Sequence, residues 1–180
     1  MRSYRLVLVA TVGLMLVTVT SWARDKPIKG TIACTFTPTS FDFTGDGITG
    51  SFNTCVGKVN GGNFTSQAQI ENLAPLASPV NCPSDTVEYP YAEIVSVSTT
   101  SSKDQFFSVN SGNGFLCVNT STGAFTYDEN EFYFGGFGKG ANSGGSFHST
   151  GTGQFLSCDT TGKHCFGSSV GTFTGTVNLP

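Results

Sequence analysis

The stretch "GTFTGTV", Gly171 to Val177, decides the fold class. Its alternate residues put Phe173, Gly175 and Val177 on one face and Thr172, Thr174 and Thr176 on the other. A strand shows one side to a core and the other to water with this period of two. The same rhythm recurs upstream. "SFHSTGTGQFL" holds Phe147 and Phe155 in one phase, and "EIVSVST" alternates around Ile94 and Val95 less cleanly. No stretch sustains a 3.6-residue apolar period for three turns. Gly, Ser, Thr and Phe are abundant while Leu, Glu and Lys are scarce, a composition of strands and turns.

Turn signals separate the strand segments: Asn60-Gly61-Gly62-Asn63, Ser111-Gly112-Asn113-Gly114, Thr122-Gly123 and Thr161-Gly162. Short turns imply antiparallel neighbours, because parallel strands need long crossovers. The predicted fold is all-β: an antiparallel, up-and-down barrel of about eight strands, braced by disulfides. Such a barrel has an interior that side chains fill or one small ligand occupies. The sixteen phenylalanines are the expected filling. "LAPLASPVNCPSD", Leu73 to Asp85, carries Pro75, Pro79 and Pro83 and reads as a long surface loop tied down at Cys82. Tyr89 and Tyr91 around Pro90 suggest an edge or a bulge.

Residues 1–23 read as a secretory signal peptide: Arg2 and Arg5, an apolar run from Leu6 to Val19, then the small residues Ser21 and Ala23 around Trp22. The apolar run is shorter than the ~20 residues a membrane span needs. Residues 24–180 then form a single barrel domain, secreted or periplasmic after signal removal. An even number of cysteines in an exported chain reads as disulfides. Six cysteines can pair in fifteen ways. Proximity favours Cys34 with Cys55 and Cys158 with Cys165, each pair flanking a turn, and leaves Cys82 with Cys117.

The formal charge is −3, and −5 without Arg2 and Arg5. Basic residues are scattered singly, so nothing neutralises a run of phosphates and nucleic acid is not an expected partner. Two histidines and no Cys-x-x-Cys argue against zinc. "FDFTGDGITGSF", Phe41 to Phe52, sets Asp42, Thr44 and Asp46 at the spacing of a calcium loop, which leaves Asp42 and Asp46 as weak calcium candidates. The twelfth position is Asn53 where a bidentate Glu is needed, and the flanks are strands, so a Gly45-Asp46-Gly47 turn is the better reading. Gly167-Ser168-Ser169-Val170-Gly171 matches Gly-x-Ser-x-Gly, but a nucleophile elbow requires a following helix and a Thr-Phe-Thr strand follows here.

Asp128, Glu129 and Glu131 form the acidic cluster. Alternation puts Glu129 and Glu131 with Tyr127 and Tyr133 on one face, and Asp128 with Phe132 and Phe134 on the other. The Phe face is the better core candidate, so the Glu face is expected in solvent. Turned inward, Glu129 and Glu131 would be catalytic candidates as acid and base.

The segment "FTYDENEFYFGGFGKGANSGGSFHSTG", Phe125 to Gly151, resembles the allene oxide cyclases and dirigent proteins. In these a polar strand runs into a Gly-Gly-x-Gly turn, matched by Gly135-Gly136-Phe137-Gly138, with later glycines at Gly144 and Gly151. The early Gly-Asp-Gly turn, "NFTSQ" (Asn63 to Gln67) and "CVNTSTGAFT" (Cys117 to Thr126) are similar to bacterial secreted proteins with an allene oxide cyclase barrel-like domain. Gly140 departs from the bulky apolar residue usual after the glycine turn. The resemblance implies an eight-stranded antiparallel barrel and carries over no activity.

The functional expectation is a secreted, non-catalytic barrel without a cofactor, binding a small apolar ligand or serving as an extracellular structural module. The alternative is a cofactor-free cyclase or isomerase acting on an apolar substrate inside the barrel.

Overall fold

The computed structural model describes residues 24–40, 45, 50–159 and 164–180. The signal-peptide reading, the calcium candidates Asp42 and Asp46, and the Thr161-Gly162 turn lie outside the described residues. Nine strands follow in order: β1 (Arg24–Pro38), β2 (Ser51–Val59), β3 (Gly62–Asn72), β4 (Val87–Thr100), β5 (Gln105–Ser111), β6 (Gly114–Val118), β7 (Ala124–Phe137), β8 (Gly144–Cys158) and β9 (Cys165–Leu179). Every pairing is antiparallel. The sheet closes where β1 meets β9, from Arg24↔Leu179 to Phe36↔Gly167. The result is a closed, eight-strand, up-and-down barrel.

Nine strands make eight staves because β5 and β6 share one. Both lie between β4 and β7 and run the same way. The Ser111–Gly114 signal, read as a turn that separates strands, is therefore a kink within a stave. Gly112 there takes φ 74. Asn110 is buried beside it and holds the kink, accepting from Asn113 N at 2.7 Å and donating to Asn113 O at 2.7 Å. Asn60-Gly61 does make a hairpin, with φ 48 and 86, both in the left-handed region that a tight two-residue connection requires.

The strands point every second side chain inward, and two apolar clusters form. At one end Ile28, Phe64, Phe173 and Val177 pack with Ile32, Phe106, Tyr133 and Phe147. Successive ring contacts Phe106–Tyr133, Tyr133–Phe147, Phe147–Phe173 and Phe173–Phe64, with centroids 5.2 to 5.9 Å apart, carry an aromatic floor across the barrel. Towards the other end, Phe36, Phe125 and Phe155 meet one another at 4.9 to 5.8 Å, alongside Tyr91, Ile94 and Val118. The expectation that phenylalanines fill the interior holds only in part. Phe52, Phe132, Phe134, Phe137 and Phe166 are exposed on the outer surface.

Three disulfides join Cys34–Cys55, Cys82–Cys117 and Cys158–Cys165, the pairs that proximity favours. All brace the end where β1, β3 and β8 finish. Two link directly opposed residues of neighbouring strands, with Cα atoms 4.1 and 4.0 Å apart, close to the spacing of a non-hydrogen-bonded antiparallel pair. Cys82 anchors the proline-rich loop, residues 73–86, to β6. Pro90 sits just past the end of the β3–β4 ladder, beside a bulge between Glu71 and Asn72, and its carbonyl accepts from Leu73 N at 2.8 Å. A proline without an N–H is tolerated where the ladder has stopped.

Candidate functional site

The barrel is not filled. A cavity of about 720 Å³ lies between the aromatic floor and the disulfide-braced end. This is within the ~300–1,000 Å³ range of small-molecule sites. Phe64, Phe147 and Phe173 line it from the floor. Phe36, Phe125, Phe155, Tyr89 and Tyr91 line it nearer the mouth, where Leu73 and Pro75 of the proline-rich loop also reach it. Its polar side chains at mid-barrel include Ser66, Ser96, Ser98, Glu129, Glu131 and Ser149, and Ser51, Asn53, Asn72, Thr120 and Ser169 also line it.

The structure overturns the expected orientation of β7. Tyr127, Glu129, Glu131 and Tyr133 face the cavity, while Phe132 and Phe134 point outward, with Phe134 58% exposed. The reason lies in what the neighbouring strands offer each face. Gly151 of β8 and Gly171 of β9 leave the space that the Tyr127 ring occupies, and a Cβ at either would overlap it. Ser96 of β4 and Ser108 of β5 stand opposite Glu131 and both donate to its Oε2, at 3.1 and 2.6 Å. Ser149 of β8 stands beside both Tyr127 and Glu129 and favours the charged form of each. Sliding β7 by one residue would exchange its faces and abandon all of these partners. The outward rings are not isolated either: Phe107 meets Phe134 at 6.0 Å and Phe137 at 5.6 Å. Asp128, also outward, pairs with His148 at 2.9 Å.

The two carboxyls differ in access. Glu131 is 6% exposed and takes two serine hydroxyls on its Oε2, whereas Glu129 is only half-buried and reaches the open space. Burial pushes the acid of Glu129 well above the ordinary carboxylate range, and the adjacent Glu131 and Asp128 push the same way. Burial also raises Glu131, against the pull of Ser108 and Ser96. Two interacting carboxyls in one low-dielectric space titrate as a pair and hold a proton into a higher pH range than free carboxyls do. Burial raises the neighbouring phenols too: Tyr127 to about 12, and Tyr91 and Tyr133 upward as well. The cavity therefore presents hydroxyl donors and a shared carboxyl proton beside aromatic surface. That equipment suits hydrogen bonding to one polar group of an apolar guest, or proton transfer to it.

A further buried carboxyl lies outside the barrel wall. Glu88 of β4 is 1% exposed beneath the proline-rich loop. It accepts from Val80 N at 2.6 Å, Asn81 N at 2.8 Å and Asn81 Nδ2 at 2.7 Å. Burial opposes its charge, but these donors outweigh burial and hold its carboxyl below the usual range. With Cys82–Cys117, it fixes the loop whose Leu73 and Pro75 edge the mouth. Sequence reading missed Glu88. The available signal was a charged residue in the same strand run as Tyr89 and Tyr91, close after a cysteine-anchored loop.

Ser168 and Ser169 of the Gly-x-Ser-x-Gly match lie within β9, with no strand-to-helix turn. Among the described residues no group of three or more His, Cys, Asp or Glu is arranged to hold a metal ion, and no helix is long and apolar enough to cross a membrane. No family model matches the chain, and neither does any curated protein or solved structure.

Proposed function

We propose that the protein is a secreted binding barrel that takes a small, largely apolar molecule into its lumen and orients it by one polar group at Glu129. The observation that carries this reading is the cavity of about 720 Å³, walled by Phe and Tyr and carrying a half-buried carboxyl midway along. Three disulfides suit an oxidising compartment, as the leader-like N-terminus does. The test is titration with the neutral fluorophore N-phenyl-1-naphthylamine. Saturable, one-to-one enhancement that is lost when Ser66→Trp or Ser149→Trp fills the lumen is expected. A Trp variant that stays folded by circular dichroism and still binds the dye at full strength would refute the reading.

A second reading, a cofactor-free cyclase or isomerase, is favoured by one specific observation. Glu129 faces the largely apolar lumen, which acid–base chemistry on an apolar substrate can use. Incubation with an unstable allene oxide and chiral analysis of the cyclopentenone tests it. A single enantiomer that becomes racemic in Glu129→Gln supports catalysis, and a racemic product from the intact protein excludes this reaction.

A further inference from the structure

We infer that the lumen selects lipophilic amines, with the ammonium group seated between Glu129 and the surrounding tyrosine rings. The inference rests on the ligand-binding reading above and names its ligand class. The cavity supplies the first observation. Its described lining contains two carboxyls and no Lys, Arg or His. An apolar anion entering this space would meet no positive charge and would sit against Glu129 and Glu131. A cation meets the opposite field, strengthened by the low dielectric of a ring-lined cavity.

Access supplies the second. Glu131 is buried behind Ser96 and Ser108, and both hydroxyls donate to its Oε2. Glu129 has Ser149 for company and reaches the open volume, which leaves carboxylate oxygen for a charge-assisted bond. Aromatic rings supply the third. Tyr91 from β4 and Tyr127 and Tyr133 from β7 surround the pair, with Phe147 of β8 in the same wall. Ring faces attract ammonium groups, more so when water is excluded. The alkyl or aryl remainder of the ligand would then lie against Phe64, Phe147 and Phe173 or extend towards Phe36 and Phe155.

The proton balance follows. The guest brings its own proton as R–NH₃⁺, and the carboxyl pair surrenders the proton it holds to solvent, so binding releases protons. The titratable and charged groups facing the pair are Tyr91 on β4 and Tyr127 and Tyr133 on β7; Asp128 on the outer face of β7 adds negative charge. From β5 and β8 only the neutral Ser108 and Ser149 face it. Amine affinity should therefore rise with pH while the guest stays protonated.

The experiment compares octylamine, octanol and octanoate, which share a chain and differ in the head group. Each is titrated by calorimetry, at pH 6 and pH 8 and in two buffers of different ionisation heat, and each is competed against N-phenyl-1-naphthylamine. Octylamine should bind at least about tenfold more tightly than octanol, the scale of one charge-assisted bond. It should release protons and bind more tightly at pH 8, and octanoate should bind worst. Glu129→Gln, shown to be folded by circular dichroism, should bring octylamine down to octanol. Equal affinity for octylamine and octanol, or preference for octanoate, overturns the inference even if the dye binds, and leaves the ligand-binding reading standing. Failure of every probe, dye included, overturns both.

Discussion

Glu88 and Glu129 are both carboxyls removed from bulk water, on opposite sides of the same barrel wall, and they end in opposite states. Glu88 receives three N–H donors from a loop folded over it, and its carboxyl is held low. Glu129 has a serine, a second carboxyl and aromatic rings, and its carboxyl is pushed up. Burial is common to both, so the number of donors and the sign of the nearest charge decide the charge state. The difference also separates two roles. Glu88, held low by its donors, fixes a loop; Glu129, pushed up and accessible, is placed to meet a guest.

The comparison breaks most severely where the loop loses its covalent anchor. Cys82→Ala with Cys117→Ala opens a link spanning 35 residues. The unfolded-chain entropy this releases corresponds to about 4 kcal/mol. Urea unfolding should show a loss of that order, and a loss under about 1 kcal/mol would mean that Glu88 alone holds the loop. Next in size is Glu88→Ala. It strands the N–H groups of Val80 and Asn81 in a partly buried site and should lower stability by about 2–3 kcal/mol at neutral pH. Unchanged urea midpoints would show that water replaces the carboxylate without penalty.

The two carboxyl environments also predict opposite pH limbs. Glu88 has a lowered folded-state pKa, so its stabilisation is present above the ordinary carboxylate value of 4.5 and is lost as pH falls through the lowered one. Glu129 has a raised folded-state pKa. Its contribution is complete below 4.5 and is lost as pH rises through the raised value. Calorimetric melting should therefore show Glu129→Gln raising Tm at pH 8 and leaving it nearly unchanged at pH 4. Glu88→Gln should lower Tm at pH 7 and converge on the parent in strong acid. A Glu129→Gln variant that melts lower at pH 8 would mean that the ionised carboxylate is stabilised in the lumen.

The smallest expected effect concerns the two faces of β7. Phe134→Ser removes a ring that is 58% exposed and should change stability by less than about 1 kcal/mol, part of it the lost contact with Phe107. Phe173→Ala, on the inner floor, should cost about 3–5 kcal/mol in the same assay. Reversed magnitudes would place the Phe face of β7 in the core.

Much of the architecture was legible in the chain. Alternation in Gly171–Val177, the Asn60-Gly61 signal and the spacing of the cysteines are local properties, and local chemistry determines strand, hairpin and the nearest thiol. The antiparallel order follows from short connections. The Ser111–Gly114 signal shows the limit. The same glycines serve a reversal or a kink, and only the pairing of β5 and β6 with the same two neighbours distinguishes them.

The lumen site was half legible. Glu129 and Glu131 stood out with their tyrosines, but their direction did not, because both faces of β7 carry large rings and hydrophobicity alone chose the wrong one. The deciding partners are Ser96, Ser108, Ser149, Gly151 and Gly171, residues that carry little signal in their own strands. The sequence by itself determined that β7 has a tyrosine-carboxyl face and a phenylalanine face. Only closure of the barrel, which fixes the register of β7 against β5 and β8, decided which face looks inward, because hydroxyl donors and ring-sized gaps are properties of neighbouring strands and not of the strand they receive.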